Sequence, residues 1–180
     1  MLAAFFFSTS AAAISPNQCT PCHGADGNSV TPGIPSIAAQ PKVFLENLLV
    51  LVREGLRGSE QMQRILKGAS DRDIVALAAH YSRLTARVQS GTPDAVRFER
   101  GQALAIKHRC GVCHLADFRG REQIPRLAGQ REEYLADMMR RFRDAPPPGS
   151  DTLMSAVLYG VSNDDIDALA HFLAHSRIED

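Results

Sequence analysis

No stretch of this chain approaches the 18 consecutive apolar residues that a membrane-spanning helix needs. Charge of one sign is lacking as well. The 20 Lys and Arg balance the 20 Asp and Glu, and the pI is near 7. That removes the electrostatic argument for binding nucleic acid or an anionic membrane surface. No segment alternates apolar and polar residues for long, so the period-2 signal of half-buried strands is missing and an all-α fold is expected. Cysteine is scarce too. The four cysteines fall in two five-residue blocks, and none lies elsewhere.

Those blocks are Cys19-Thr20-Pro21-Cys22-His23 and Cys110-Gly111-Val112-Cys113-His114. C-x-x-C-H is the attachment signature of c-type haem, with a thioether to each cysteine and the adjacent histidine on the iron. The alternatives fit worse. An all-cysteine zinc site brings its C-x-x-C pairs within about 15 to 20 residues of each other. Here 87 residues separate Cys22 from Cys110, and a histidine follows each pair. A dithiol redox site needs a βαβ context, which this sequence does not offer. A disulfide within C-x-x-C closes a very short loop and stabilises little.

The blocks belong to an internal repeat of the whole chain. Ile34-Pro35-Ser36-Ile37-Ala38-Ala39-Gln40 matches Ile124-Pro125-Arg126-Leu127-Ala128-Gly129-Gln130. Phe44-Leu45 matches Tyr134-Leu135, Met62 matches Met154, and the stretch from Ser70 to Ile74 matches that from Ser162 to Ile166. The offset stays between 90 and 92 residues. Two domains are therefore expected, at 14–88 and 89–180, each wrapped around one haem.

The pattern predicts helices at about 41–54 and 131–143, and two more that start at Ser70 and Ser162. Ser70 with Asp73, and Ser162 with Asp165, have the spacing of N-terminal caps. A further helix is expected from Asp94 to Arg109, with Val96, Ala103, Leu104 and Ile106 partly buried. Residues 24–40 and 116–123 read as loops, and loops are expected to carry Met62 and Met154.

A haem iron bound by His23 or His114 has a sixth position, and what fills it decides the chemistry. Methionine sulfur there raises the potential relative to a second histidine. Met62 and Met154 lie 39 and 40 residues after their haem histidines and are the expected ligands. His80, His108, His171 and His175 do not align between the halves and are expected to be surface or packing residues. Met138 and Met139 fall in mid-helix and read as core. Pro35 and Pro125 follow the histidines by 12 and 11 residues. Each is placed to aim its carbonyl at the histidine Nδ1–H, a contact that would fix the ring.

Residues 1–13 end in three alanines and resemble a secretory signal, although no Lys or Arg precedes the apolar run. Cleavage would export the protein to the periplasm and leave five residues ahead of Cys19. The alternative is that residues 3–15 stay and form part of a first helix. Charge is uneven. Arg97 to Arg143 holds eleven Lys and Arg against six Asp and Glu, while Asp144 to Asp180 holds one Arg against seven. That is either a solvated surface or a docking face for a redox partner.

From Gln18 to about Ser176 the tandem pattern resembles the di-haem class I cytochromes c. The resemblance implies two covalently bound haems c, His23 and His114 as proximal ligands, and Met62 and Met154 as distal ones. Two groups within the family compete. The soluble di-haem shuttles that feed terminal oxidases resemble Leu127-Ala128-Gly129-Gln130, the following Tyr134-Leu135, and the helix starts at Ser70 and Ser162. The cytochrome subunit of flavocytochrome c sulfide dehydrogenase resembles Gly27-Asn28-Ser29-Val30, Pro35-Ser36-Ile37-Ala38, Met62-Gln63-Arg64-Ile65 and Lys67-Gly68. The second group is favoured. It implies a FAD-containing sulfide-oxidising partner as donor and a soluble acceptor, with no catalytic chemistry in this chain. A haem enzyme or gas sensor would need an open iron position, against which Met62 and Met154 argue.

Overall fold

The computed structural model describes residues 13–178. Among these the secondary structure is helical, apart from one isolated bridge between Arg121 and Ile124. The residues expected to form a signal, 1–13, lie outside the described part except for Ala13.

A 3-10 turn at Pro16–Gln18 leads into α1 (Thr20–His23), which holds the first cysteine block. Then come α2 (Lys42–Arg53), α3 (Glu60–Leu66) and α4 (Asp71–Ser82). The second half adds α5 (Ala95–Lys107), α6 (Cys110–His114), α7 (Glu132–Asp144), α8 (Thr152–Leu158) and α9 (Asn163–His175). The repeat read from the sequence is thus a repeat of structure, with α1 to α4 answered by α6 to α9.

Local chemistry sets the helix ends. Ser70 Oγ accepts from Asp73 N at 3.2 Å and Asp73 Oδ2 accepts from Ser70 N at 2.9 Å, which closes a capping box. Ser162 Oγ accepts from Asp165 N at 3.1 Å. The carboxylate of Asp165 turns instead to Arg100 on α5, at 2.6 Å. Arginine supports each final helix from the preceding long one. Arg53 bonds the carbonyl of Ala69 at 3.1 Å, and Arg143 bonds that of Val161 at 2.6 Å.

The expected loops around Met62 and Met154 are short helices, α3 and α8. Ser59 caps α3 by accepting from Met62 N, and Asp151 caps α8 by accepting from Leu153 N. Seven residues give too few turns for apolar periodicity to announce itself, so the caps were the available signal.

Two cores form, one per half. Leu45, Val52, Leu66, Ile74, Leu77, Ala78 and Tyr81 make the first. Leu104, Leu135, Met139, Leu158, Ile166, Leu169, Phe172 and Leu173 anchor the second. Helix α5 lies on α9, with Leu104 buried as expected but the other three expected residues turned outward. Val96 and Ile106 are 77% and 73% exposed, and Ala103 is exposed, while Gly101, Leu104 and Ala105 are buried. Gly101 explains the choice. A methyl group there would run into the carbonyl oxygen of Ala168 and lie 2.6 Å from Phe172 Cβ, so the two helices meet where α5 has no side chain. Phe98 and Phe118 then pack edge-on against Phe172, with ring centres 5.0 and 5.6 Å away.

Candidate haem sites

In each block the cysteines and histidine occupy positions i, i+3 and i+4 of a single helical turn, which gathers them on one side. His23 N bonds Cys19 O at 3.0 Å, and the chain leaves α1 through Gly24 at φ 83°. All four thiols are free. Burial pushes the Cys19 and Cys110 thiols up, which keeps them protonated at neutral pH.

Both histidines are 5% exposed. His23 Nδ1 lies 2.8 Å from Pro35 O, and His114 Nδ1 lies 2.8 Å from Pro125 O. The two prolines are therefore where the spacing placed them. A carbonyl oxygen can only accept, so Nδ1 carries the proton in both rings and Nε2 keeps its lone pair. Burial holds both imidazoles below the ordinary pKa of 6.5, with the proline carbonyl acting the other way. Each ring is thus neutral and oriented, with Nε2 unprotonated and able to donate its lone pair to a metal.

Cys19 and Met62 both border the first core, and Cys110 and Met154 both border the second. The remaining histidines and methionines stand elsewhere. His80 is exposed beside the Tyr81 ring. His171 is held by Glu132 at 2.8 Å and by Asp94 N at 3.0 Å, and His175 donates to His171 O at 2.9 Å. Met139 is buried in the second core and Met138 is half-buried.

Sequence reasoning missed the residues that join the two sites. Gln130 Oε1 accepts from Ser36 N at 2.6 Å, and Gln130 Nε2 donates to Ser36 O at 2.9 Å. Gln40 does the same to the other half. Its Oε1 accepts from Arg126 N at 2.9 Å, and its Nε2 donates to Arg126 O at 3.0 Å. The signal was present in the sequence as the matched Gln40 and Gln130 of the repeat. The Arg126 side chain also crosses, to Ala38 O at 3.0 Å.

The surroundings fit a macrocycle with acidic edges. Leu48, Leu49 and Met62 pack against the same core as Cys19, so the first site borders an apolar surface. Arg126 is 1% exposed, and no acidic side chain pairs with it among the described residues. Its Nε has no partner, and burial pushes the guanidinium down to about 10. A buried cation with a spare donor is the complement of a haem propionate.

Comparison with known proteins agrees with this geometry. The family model described as cytochrome c matches residues 98–177. Cytochrome c4 of Azotobacter vinelandii is 30% identical over 173 residues, covering 86% of this chain and 82% of that protein. A thiosulfate dehydrogenase electron acceptor of Thiomonas intermedia is 28% identical over 168 residues, covering 87% of this chain and 77% of that one. The crystal structure of reduced recombinant cytochrome c4 from Pseudomonas stutzeri superimposes with a TM-score of 0.82 at 27% identity, covering 90% of this chain and 95% of that one. None of these relatives is a sulfide dehydrogenase subunit, so the reading favoured from short motifs gains nothing from them. With two matching halves, two C-x-x-C-H turns and this degree of likeness over most of both chains, the protein belongs to the cytochrome c4 family, di-haem class I cytochromes c with two covalently attached haems.

Proposed function

We propose that the protein is a free, exported carrier of single electrons that docks in turn with a donor and an acceptor. The soluble shuttle replaces the sulfide dehydrogenase subunit as the main reading, because the likeness is to cytochromes c4 over the full two-domain length. The proposed domains are 14–88 and 89–180, with 1–13 a signal that directs the chain to the periplasm.

The observation that carries the proposal is the duplication of one complete site. Each half has a helical turn with two thiols, a buried histidine bonded to a proline carbonyl at 2.8 Å, and a methionine in the matching short helix. In this reading Cys19 and Cys22 attach one haem and Cys110 and Cys113 the other. His23 and Met62 would hold the iron of the first, His114 and Met154 that of the second. Bound haem supplies a one-electron couple at its iron. The chain's own residues do the rest. The proline carbonyls fix the imidazole planes and keep Nδ1 protonated. Ser59 and Asp151 cap α3 and α8 and so set where the two thioethers sit. With both residues on the iron, Met62 and Met154 would keep substrates and gases off the metal, which suits electron transfer rather than bond chemistry.

The relative named as a thiosulfate dehydrogenase electron acceptor favours a second reading, in which the donor is an enzyme oxidising a sulfur compound. Size-exclusion chromatography of the native protein separates a free carrier from a fixed subunit. Elution alone, with no stoichiometric flavoprotein, is expected. A stable FAD-containing partner would return the sulfide dehydrogenase reading.

A further inference from the structure

The two histidine–proline bonds are not independent of the opposite half. A peptide unit is planar and conjugated, so its carbonyl oxygen and its N–H respond together. The unit between Pro35 and Ser36 is bonded at both ends. Pro35 O faces His23 Nδ1 at 2.8 Å, and Ser36 N donates to Gln130 Oε1 at 2.6 Å. The unit between Pro125 and Arg126 repeats this, with His114 Nδ1 at 2.8 Å and Gln40 Oε1 at 2.9 Å. Each glutamine also holds the next carbonyl through its Nε2, at 2.9 and 3.0 Å. Gln40, Gln130, Ser36 and Arg126 are all buried, so water does not replace or screen these bonds. Further bonds lock the arrangement. Gln130 Oε1 also accepts from Arg131 N at 2.9 Å, and Gln89 holds Gln130 O at 3.0 Å.

We infer that Gln130 and Gln40 are crossed positioning residues, each tuning the reduction potential of the haem site in the half to which it does not belong. The inference rests on His23 and His114 as the haem ligands. The route is short. Accepting from Ser36 N–H polarises the Pro35 peptide and makes its carbonyl a stronger acceptor. A stronger acceptor draws more on the His23 Nδ1–H and leaves the imidazole a more basic ligand. A more basic ligand favours the oxidised metal and lowers the potential. Gln40 acts on His114 in the same way. Neither glutamine touches a haem histidine, so the effect passes through one peptide group.

The symmetry of the device gives it a signature. Ordinary structural damage from a core substitution falls first on the half that carries it. This device predicts the reverse. Gln130→Met keeps the length of the side chain and removes both bonds to Ser36. In the holoprotein it should raise the midpoint potential of the His23 site and leave the His114 site nearly unchanged. Gln40→Met should do the opposite. The expected shift is about twofold to tenfold in the ratio of oxidised to reduced site at a fixed applied potential, or roughly 20 to 60 mV.

The test is spectroelectrochemical titration of both holoprotein variants, with the two steps assigned to their sites by NMR. Crossed upward shifts support the inference. A shift confined to the variant's own half, equal shifts at both sites, or none would overturn it. Haem content is measured first on the same samples. Two attached haems with uncrossed shifts sink the inference alone, whereas unsubstituted protein that carries no haem sinks the haem-site reading beneath it. If one variant does not mature, the other decides. The unmodified reduced protein provides a further reading, a scalar coupling across the hydrogen bond from Ser36 N–H to the Gln130 side-chain carbonyl. Its absence would remove the premise.

Discussion

The imidazole of His114 donates its Nδ1 proton to the carbonyl oxygen of Pro125 across 2.8 Å. The acceptor is backbone, so proline's part is to fix φ rather than to supply the oxygen. Pro125→Ala should therefore keep the bond. The substitution frees the unfolded chain and should cost about 0.4 to 1 kcal/mol. Denaturant midpoints would record that loss, and the visible spectrum of the reduced protein should not change.

Met62 and Met154 are the proposed sulfur ligands. Met62→Ala and Met154→Ala should each remove one methionine-ligated low-spin signature and leave the other intact. The potential of the altered site should fall, because methionine ligation raises it. Absorption spectra with potentiometry on each variant check this. If neither spectrum changes, the axial assignment is wrong.

Helix α5 meets α9 at Gly101, where a methyl group would strike Ala168 and Phe172. Gly101→Ala should force the helices apart and cost about 1 to 3 kcal/mol, the usual range for overpacking. The damage should be local. Thermal unfolding should begin earlier, with spectral change first at the His114 site. An unchanged melting temperature would contradict the close crossing.

Acid should attack the starts of the last helix in each half. The Ser70 hydroxyl and backbone N–H hold the Asp73 carboxyl below its ordinary 3.8. The Arg100 guanidinium does the same for Asp165. A folded pKa below the unfolded one means that the unfolded chain takes up protons first. The stabilisation is present above 3.8 and is lost as pH falls through the folded values. Replacing both with Asn should flatten the fall in stability between about pH 4 and pH 2, as followed by denaturant midpoints at each pH.

Much of this was readable in the sequence where chemistry is local. A serine with an aspartate three residues on marks a helix start without help from the rest of the fold. Two C-x-x-C-H turns at nearly one offset announce a duplicated site, and the proline spacing anticipated the bonds to His23 and His114. What escaped depends on contact between distant segments. Val96 and Ile106 look like a buried stripe, yet Gly101 decides the packing because α9 is nearest there. No spacing singles out Arg126, yet it is buried and bonds Gln40 and Ala38 of the opposite half. Gln40 and Gln130 were visible as a matched pair, but no spacing rule says that each reaches across to the other half.

The most direct test of the account is mass mapping of the chain after expression with a cytochrome c maturation system. Proteolytic peptides containing Cys19-Thr20-Pro21-Cys22-His23 and Cys110-Gly111-Val112-Cys113-His114 should each carry the mass of one haem, with all four thiols closed to alkylation. Bare peptides, or cysteines that alkylate freely, would contradict it.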